Sequence, residues 1–201
     1  MNVSREKEVK EKINFILHSS EQFLIENKTI NSVFVLRSEI YNKSILIIGC
    51  FENNDEKNNF IYQVKRLINL FFVDAFLFSF EIWFKNSGET TTIKIYDYKY
   101  KSHGIFAGFF SEAINMGKIT VIDRIDEGIK LNRINEFIPI PDELLSILRL
   151  KKNNFHKFYK EAINHLSMSE REILFKSIFQ NIINDTGSNT ILIEVLDEDI
   201  K

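Results

Sequence analysis

Apolar and polar side chains alternate most strictly between Phe76 and Tyr98. In Phe76-Leu-Phe-Ser-Phe-Glu-Ile-Trp-Phe84 every even position is Phe or Ile, while Leu77, Ser79, Glu81 and Trp83 occupy the odd ones. Side chains on a strand point alternately to opposite faces, so this stretch predicts a strand with one aromatic core face and one amphipathic face. After Asn86-Ser-Gly88, Thr90 to Tyr98 repeats the pattern, with Thr91, Ile93 and Ile95 opposed by Thr92, Lys94, Tyr96 and Tyr98. A two-residue turn at Ser87-Gly88, with Gly supplying positive φ, pairs Phe84 with Thr91 and Ile82 with Ile93. The same register sets Glu81 across from Lys94.

Other periodicities fill in the chain around this hairpin. Residues 5–27 predict a helix capped by Ser4, with Val9, Ile13, Ile16, Leu17, Phe23 and Leu24 on one side. Ser32 to Ser38 and Ser44 to Phe51 read as two strands joined by a short link at Tyr41-Asn-Lys43. Asn53-Asn-Asp55 caps a second helix whose apolar stripe runs Phe60, Ile61, Val64, Leu67, Ile68, Phe71 and Phe72. Ser102-His-Gly104 reads as a loop leading to a short helix from Ile105 to Met116, with Gly117 as its stop. Lys118 to Asp126 and Ile129 to Ile134 predict another hairpin.

Beyond Pro139 and Pro141 the pattern turns helical, over 142–150, 154–166 and 169–183. Ser169 followed by Glu172 has capping-box spacing. Thr190 to Leu196 returns to strand grammar. Hairpin-joined strands with few crossovers predict an α+β fold, with a largely antiparallel sheet of five or six strands packed by helices. The expected division is a sheet domain over 1–140 and a helical C-terminal extension over 141–201.

Composition narrows the function classes. The 201 residues are 44% hydrophobic and 13% aromatic, enough for a packed core, with nineteen Phe. A net charge of −2 disfavours a generic binder of nucleic acid or anionic membrane. Arg5-Glu-Lys-Glu8 precedes no apolar signal core, and the most apolar window, 67–84, is broken by Asn69, Asp74, Ser79 and Glu81. The expectation is a soluble, cytoplasmic protein with no membrane partner. A single Cys, Cys50, excludes an internal disulfide and a Cys-rich zinc site. It ends an apolar run and reads as a structural thiol.

Candidate chemistry is sparse. His18, His103, His156 and His165 show no metal-ligand spacing, and His18 reads as a packed residue of the first helix. There is no Gly-x-Ser-x-Gly elbow, phosphate loop or dinucleotide fingerprint, and only seven Gly to build one. No cofactor and no metal are expected, and no stretch of the chain identifies a family. Glu81, His103 and Asp123 are the candidate catalytic residues: two carboxylates within strands and a His in a loop after a strand. Asp123 has its own candidate counter-ion in Arg124.

For binding, Trp83, Lys94, Tyr96, Tyr98 and Tyr100 combine apolar area with hydrogen-bonding or charged tips. With Lys99 and Lys101 they also form an interleaved basic and aromatic run suited to stacking on single-stranded nucleic acid. The preferred reading is a non-catalytic interaction protein that binds a protein partner, or a second copy of itself, through the aromatic sheet face or the helical tail. The alternatives are a nucleic-acid binder using the Lys/Tyr strand, or a hydrolase-type enzyme using a strand carboxylate. An enzyme is expected to place Glu81 or Asp123 in a cleft, and an interface protein to expose apolar surface.

Overall fold

The computed structural model describes residues 3–51, 53–86, 91–94, 102–126, 128–148, 154–186 and 191–196. The elements in order are α1 (Val3–Asn27), β1 (Asn31–Ser38), β2 (Lys43–Cys50), α2 (Asn54–Leu70), β3 (Ala75–Asn86), β4 (Thr91–Lys94), β5 (Ser102–Ser111), β6 (Asn115–Ile125), β7 (Gly128–Arg133), α3 (Asp142–Leu148), α4 (Asn154–Asn164), α5 (Met168–Thr186) and β8 (Ile191–Leu196). The fold is α+β with a largely antiparallel sheet. Seven strands run in the order β7-β6-β5-β3-β1-β2-β8, and β4 adds an eighth against the far end of β3. That exceeds the five or six expected, because β5 and β8 both join the sheet.

Two compact units divide the chain: Met1–Val33 with Leu77–Ile147, and Phe34–Phe76 with Leu148–Lys201. In the first, α1 lays Val9, Ile13, Ile16, Leu17 and Leu24 over Ile105, Ala107 and Ile122 of β5 and β6. On the opposite sheet face Phe78 stacks on Phe80 and on Phe106, at ring separations of 5.2 and 5.8 Å. Both faces of β3 and β5 are therefore occupied. Phe76, Phe78, Phe80 and Ile82 are all buried, the core role expected of that face.

The segment expected as a helix over 105–116 is the main departure. Ser102–Ser111 is β5, and Asn115 already belongs to β6. His103 thus lies within a strand rather than a loop. The turn between the strands is closed by Ser111, whose Oγ accepts from the N–H groups of Ala113 and Ile114. A strand buried on both faces loses its visible alternation and reads as a continuous apolar run. Gly108 and Gly117 are direct partners across β5 and β6; the Phe106 ring fills the space a side chain would take at Gly117, and the Phe78 and Phe106 rings fill it at Gly108.

The β3–β4 register also differs. Trp83 pairs with Lys94 and Phe84 with Ile93, so the ladder closes on Asn86 and Thr91. The expected Glu81–Lys94 pairing is replaced accordingly. A shift of two residues keeps every position on its expected face, so alternation alone cannot separate the two registers.

The second unit is built on α2, whose N-cap Asn53 accepts from the Glu56 N–H at 3.0 Å. Phe60 of α2 packs on Phe34, and Phe71 on Tyr41 and Phe175. Asn42, at φ 53°, makes the tight β1–β2 turn and accepts from Arg37 at 2.8 Å. Arg171 donates to the carbonyls of Ile40, Asn164 and Leu166, tying α5 to that turn and to the end of α4. Lys160 of α4 is engaged by Asp74 at 2.6 Å.

Two helix starts move as well. The capping box of α5 is Ser167 with Glu170, two residues before the expected Ser169 and Glu172. Ser4 lies inside α1 rather than capping it. The last predicted strand forms, as β8 antiparallel to β2, from Ser44 opposite Leu196 to Gly49 opposite Ile191. Among the described residues no helix is long and apolar enough to cross a membrane.

Candidate functional site

The alternation along β3 sends Leu77, Ser79, Glu81 and Trp83 to the face that carries α1. Leu77 packs on the α1 core, and the Ser20 hydroxyl of α1 donates to the Ser79 hydroxyl at 2.9 Å. On neighbouring β5 the same face holds His103, Ile105 and Ala107. Glu81 and His103, 22 positions apart in sequence, meet there with Oε1 2.5 Å from Nε2. The indole of Trp83 lies nearly parallel over the imidazole, with ring centroids 4.5 Å apart and planes 15° from each other.

This geometry has chemical content. The His103 side chain is 8% exposed and that of Glu81 33%. An ionised carboxylate only accepts, so a hydrogen bond to one gives Nε2 the donor role. A base held in one tautomer by a carboxylate is the orienting half of a nucleophilic triad. Trp83 covers one face of the ring, which lowers water access and strengthens the local electrostatics.

Three of the residues singled out from the sequence therefore form one constellation: Glu81, Trp83 and His103. Asp123 does not belong to it. It lies on the opposite face of β6 from His103's partner Ile122, is exposed, and accepts from Asn132 Nδ2 at 2.5 Å. Its oxygen is engaged by Asn132 rather than by the expected Arg124. Lys94 is the backbone partner of Trp83. Tyr96, Tyr98 and Tyr100, with Lys99 and Lys101, fall outside the described residues.

No significant match to the chain exists among protein-family models, curated proteins or solved structures. Geometry therefore carries the functional reading.

A second polar cluster was not anticipated. Glu21 of α1 is 1% exposed and sits between Thr120 and Arg133. Thr120 Oγ1 donates to it at 2.5 Å, and Arg133 Nε donates to its two oxygens at 3.0 and 2.9 Å. Burial alone pushes the Glu21 carboxyl up, but the bonds from Arg133, Thr120 and His18 and the Arg133 charge outweigh it and hold it below the usual carboxylate range. His18, expected as a packed residue, is largely exposed, with Nδ1 3.0 Å from Arg133 Nη2. The available signal was Glu21 itself, on the helical stripe between Leu17 and Leu24, where a carboxylate needs a partner.

Cys50 is half-buried on β2, and burial pushes its thiol up, away from the reactive thiolate. Among the described residues no group of three or more His, Cys, Asp or Glu side chains is placed to hold a metal ion. His165 is exposed at the end of α4.

Proposed function

We propose that this chain is a non-catalytic interaction protein of the cytoplasm that binds a protein partner through the surface of its C-terminal helices and strand. The observation that carries the reading is the placement of large apolar side chains at that surface. On α4 Phe158 is 66% exposed, on α5 Ile173 is 69% exposed, and on β8 Leu192 is 49% exposed. Aromatic and aliphatic residues of this size anchor interfaces when a partner covers them. The Phe face of β3, by contrast, is consumed by the core. The test is affinity capture from the native lysate with the wild-type chain and with Phe158→Ser and Ile173→Ser. Loss of one defined partner in the variants, at unchanged folding, supports the reading; capture of nothing by the wild type ends it.

A second reading attaches to the 2.5 Å contact between Glu81 and His103. A carboxylate-oriented imidazole under an aromatic ring suits acid–base work of the hydrolase type. It is tested by a substrate screen in which Glu81→Gln, which keeps the shape but removes the charge, abolishes any turnover found.

A further inference from the structure

β8 ends the strand order, and among the described residues no strand pairs with its outer edge. Such an edge presents a row of backbone N–H and C=O groups that templates another strand. Proteins ordinarily protect free edges with Pro, Lys, a bulge or an inward charge. Ile191-Leu-Ile-Glu-Val-Leu196 has no Pro, no Lys and no Gly, and its register with β2 is unbroken over six residues. Its one charge, Glu194, is exposed, as is Leu192 beside it on the same face.

The residue order of β8 fits a second copy of the same strand. A twofold axis normal to the sheet keeps each position on its own face, so directly opposed residues must be an even number apart in sequence. With the axis at Ile193, that residue opposes its own copy, Ile191 opposes Val195, and Leu192 opposes Glu194. One face of the ladder is then aliphatic throughout, and no carboxylates oppose each other. Placing the axis at Glu194 sets two carboxylates face to face, which is destabilising. Placing it at Leu192 leaves only Ile191 to Ile193 of the strand paired.

We propose that the chain self-associates by antiparallel pairing of β8 with β8 of a second copy, centred on Ile193. This rests on the interaction reading above and names its partner as the same chain. Two outward-facing carboxylates and two leucines then lie opposite each other across the twofold axis, which gives the register its own test.

The experiment measures the mass of the full chain by light scattering over a dilution series, for the wild type, Leu192→Glu and Leu192→Lys. Both substitutions remove the same apolar contact, but position 192 faces Glu194 of the other copy at two symmetric positions, where a Glu repels it and a Lys attracts it. The wild type is expected to be a dimer, with Leu192→Glu dissociating about tenfold more readily than Leu192→Lys. Amide hydrogen exchange in β8 of the wild type is expected to slow as concentration rises, a readout that needs no substitution. A dimer in which both variants behave alike and β8 exchange is independent of concentration overturns the β8 pairing and leaves the interaction reading standing. A chain that is monomeric throughout overturns self-association. If it still loses a defined partner on Phe158→Ser, the broader reading survives; if it captures nothing, both fail.

Discussion

Arg133 of β7 grips both carboxylate oxygens of Glu21 in α1, although Glu21 is almost fully buried and about half of the Arg133 side chain faces water. A helix is thereby fastened to its sheet by a planar fork matched to a carboxylate, which a Lys could not reproduce. Removing Arg133 leaves a buried charge with Thr120 as its principal remaining donor. Arg133→Met is expected to lower stability by about 2 kcal/mol, and Arg133→Lys to recover only part of that loss in urea unfolding.

The same pair sets a pH dependence. The folded-state pKa of Glu21 lies below its unfolded value, because the bonds and charge around it overcome burial. Its contribution is therefore complete above the unfolded carboxylate pKa and is lost as pH falls through the folded one. Urea midpoints measured from neutral pH down through the carboxylate range should fall less steeply for Glu21→Gln than for the wild type. Equal slopes would show that Glu21 is not ionised in the fold.

Gly117 should tolerate no side chain. A Cβ there would lie 2.7 Å from Phe106 Cε1 and 2.8 Å from the Ala107 carbonyl oxygen, and it would strike Phe106 Cζ as well. The ring and a strand backbone would both have to move. Gly117→Ala is expected to cost about 2 kcal/mol, in the range for overpacking, whereas Gly117→Ala combined with Phe106→Leu should recover much of it. Thermal unfolding of the three variants decides the matter.

Glu81 and His103 should be coupled. In a double-mutant cycle of Glu81→Gln and His103→Gln, the interaction free energy is expected to be about 1 kcal/mol or more, as for a charge-assisted hydrogen bond. Trp83 is the only Trp in the chain, so its emission reports on this site directly. His103→Gln should alter that emission in the folded state, and additive stabilities with an unchanged spectrum would refute the constellation.

Arg171 donates to three carbonyls from two different turns and the end of α4. Arg171→Met leaves those oxygens without their charged donor and is expected to destabilise by about 2 kcal/mol. Hydrogen exchange should rise first around Ile40 and at the start of α5.

Much of this fold was legible in the sequence because most elements bury one face. β3 and α2 each carry a clear period and their faces came out as expected, and the β6–β7 hairpin forms where the sequence placed it. β5 defeated the reading for the opposite reason. Ile105 and Ala107 meet α1 while Phe106 meets Phe78, so the strand is apolar on both sides and its glycines resemble helix punctuation. The cost fell on the site. With 105–116 read as a helix, His103 becomes a loop residue and never reaches Glu81, though both had been singled out. The α5 cap was missed by two residues because Ser167 and Ser169 both precede a Glu at the right spacing, and only the backbone separates them.

The pairing of β2 with β8 joins positions roughly 150 residues apart. During synthesis at about 5–20 residues per second, β2 therefore emerges on the order of 10 s before the strand that closes its edge. Over that interval Ile45 to Ile48 wait as an apolar ribbon with one side of the ladder open, a long closure of the kind that slows folding. The chain's exposure to misassociation, and its dependence on chaperones, should therefore be greatest before β8 arrives rather than after the aromatic core of β3 and β5 has formed.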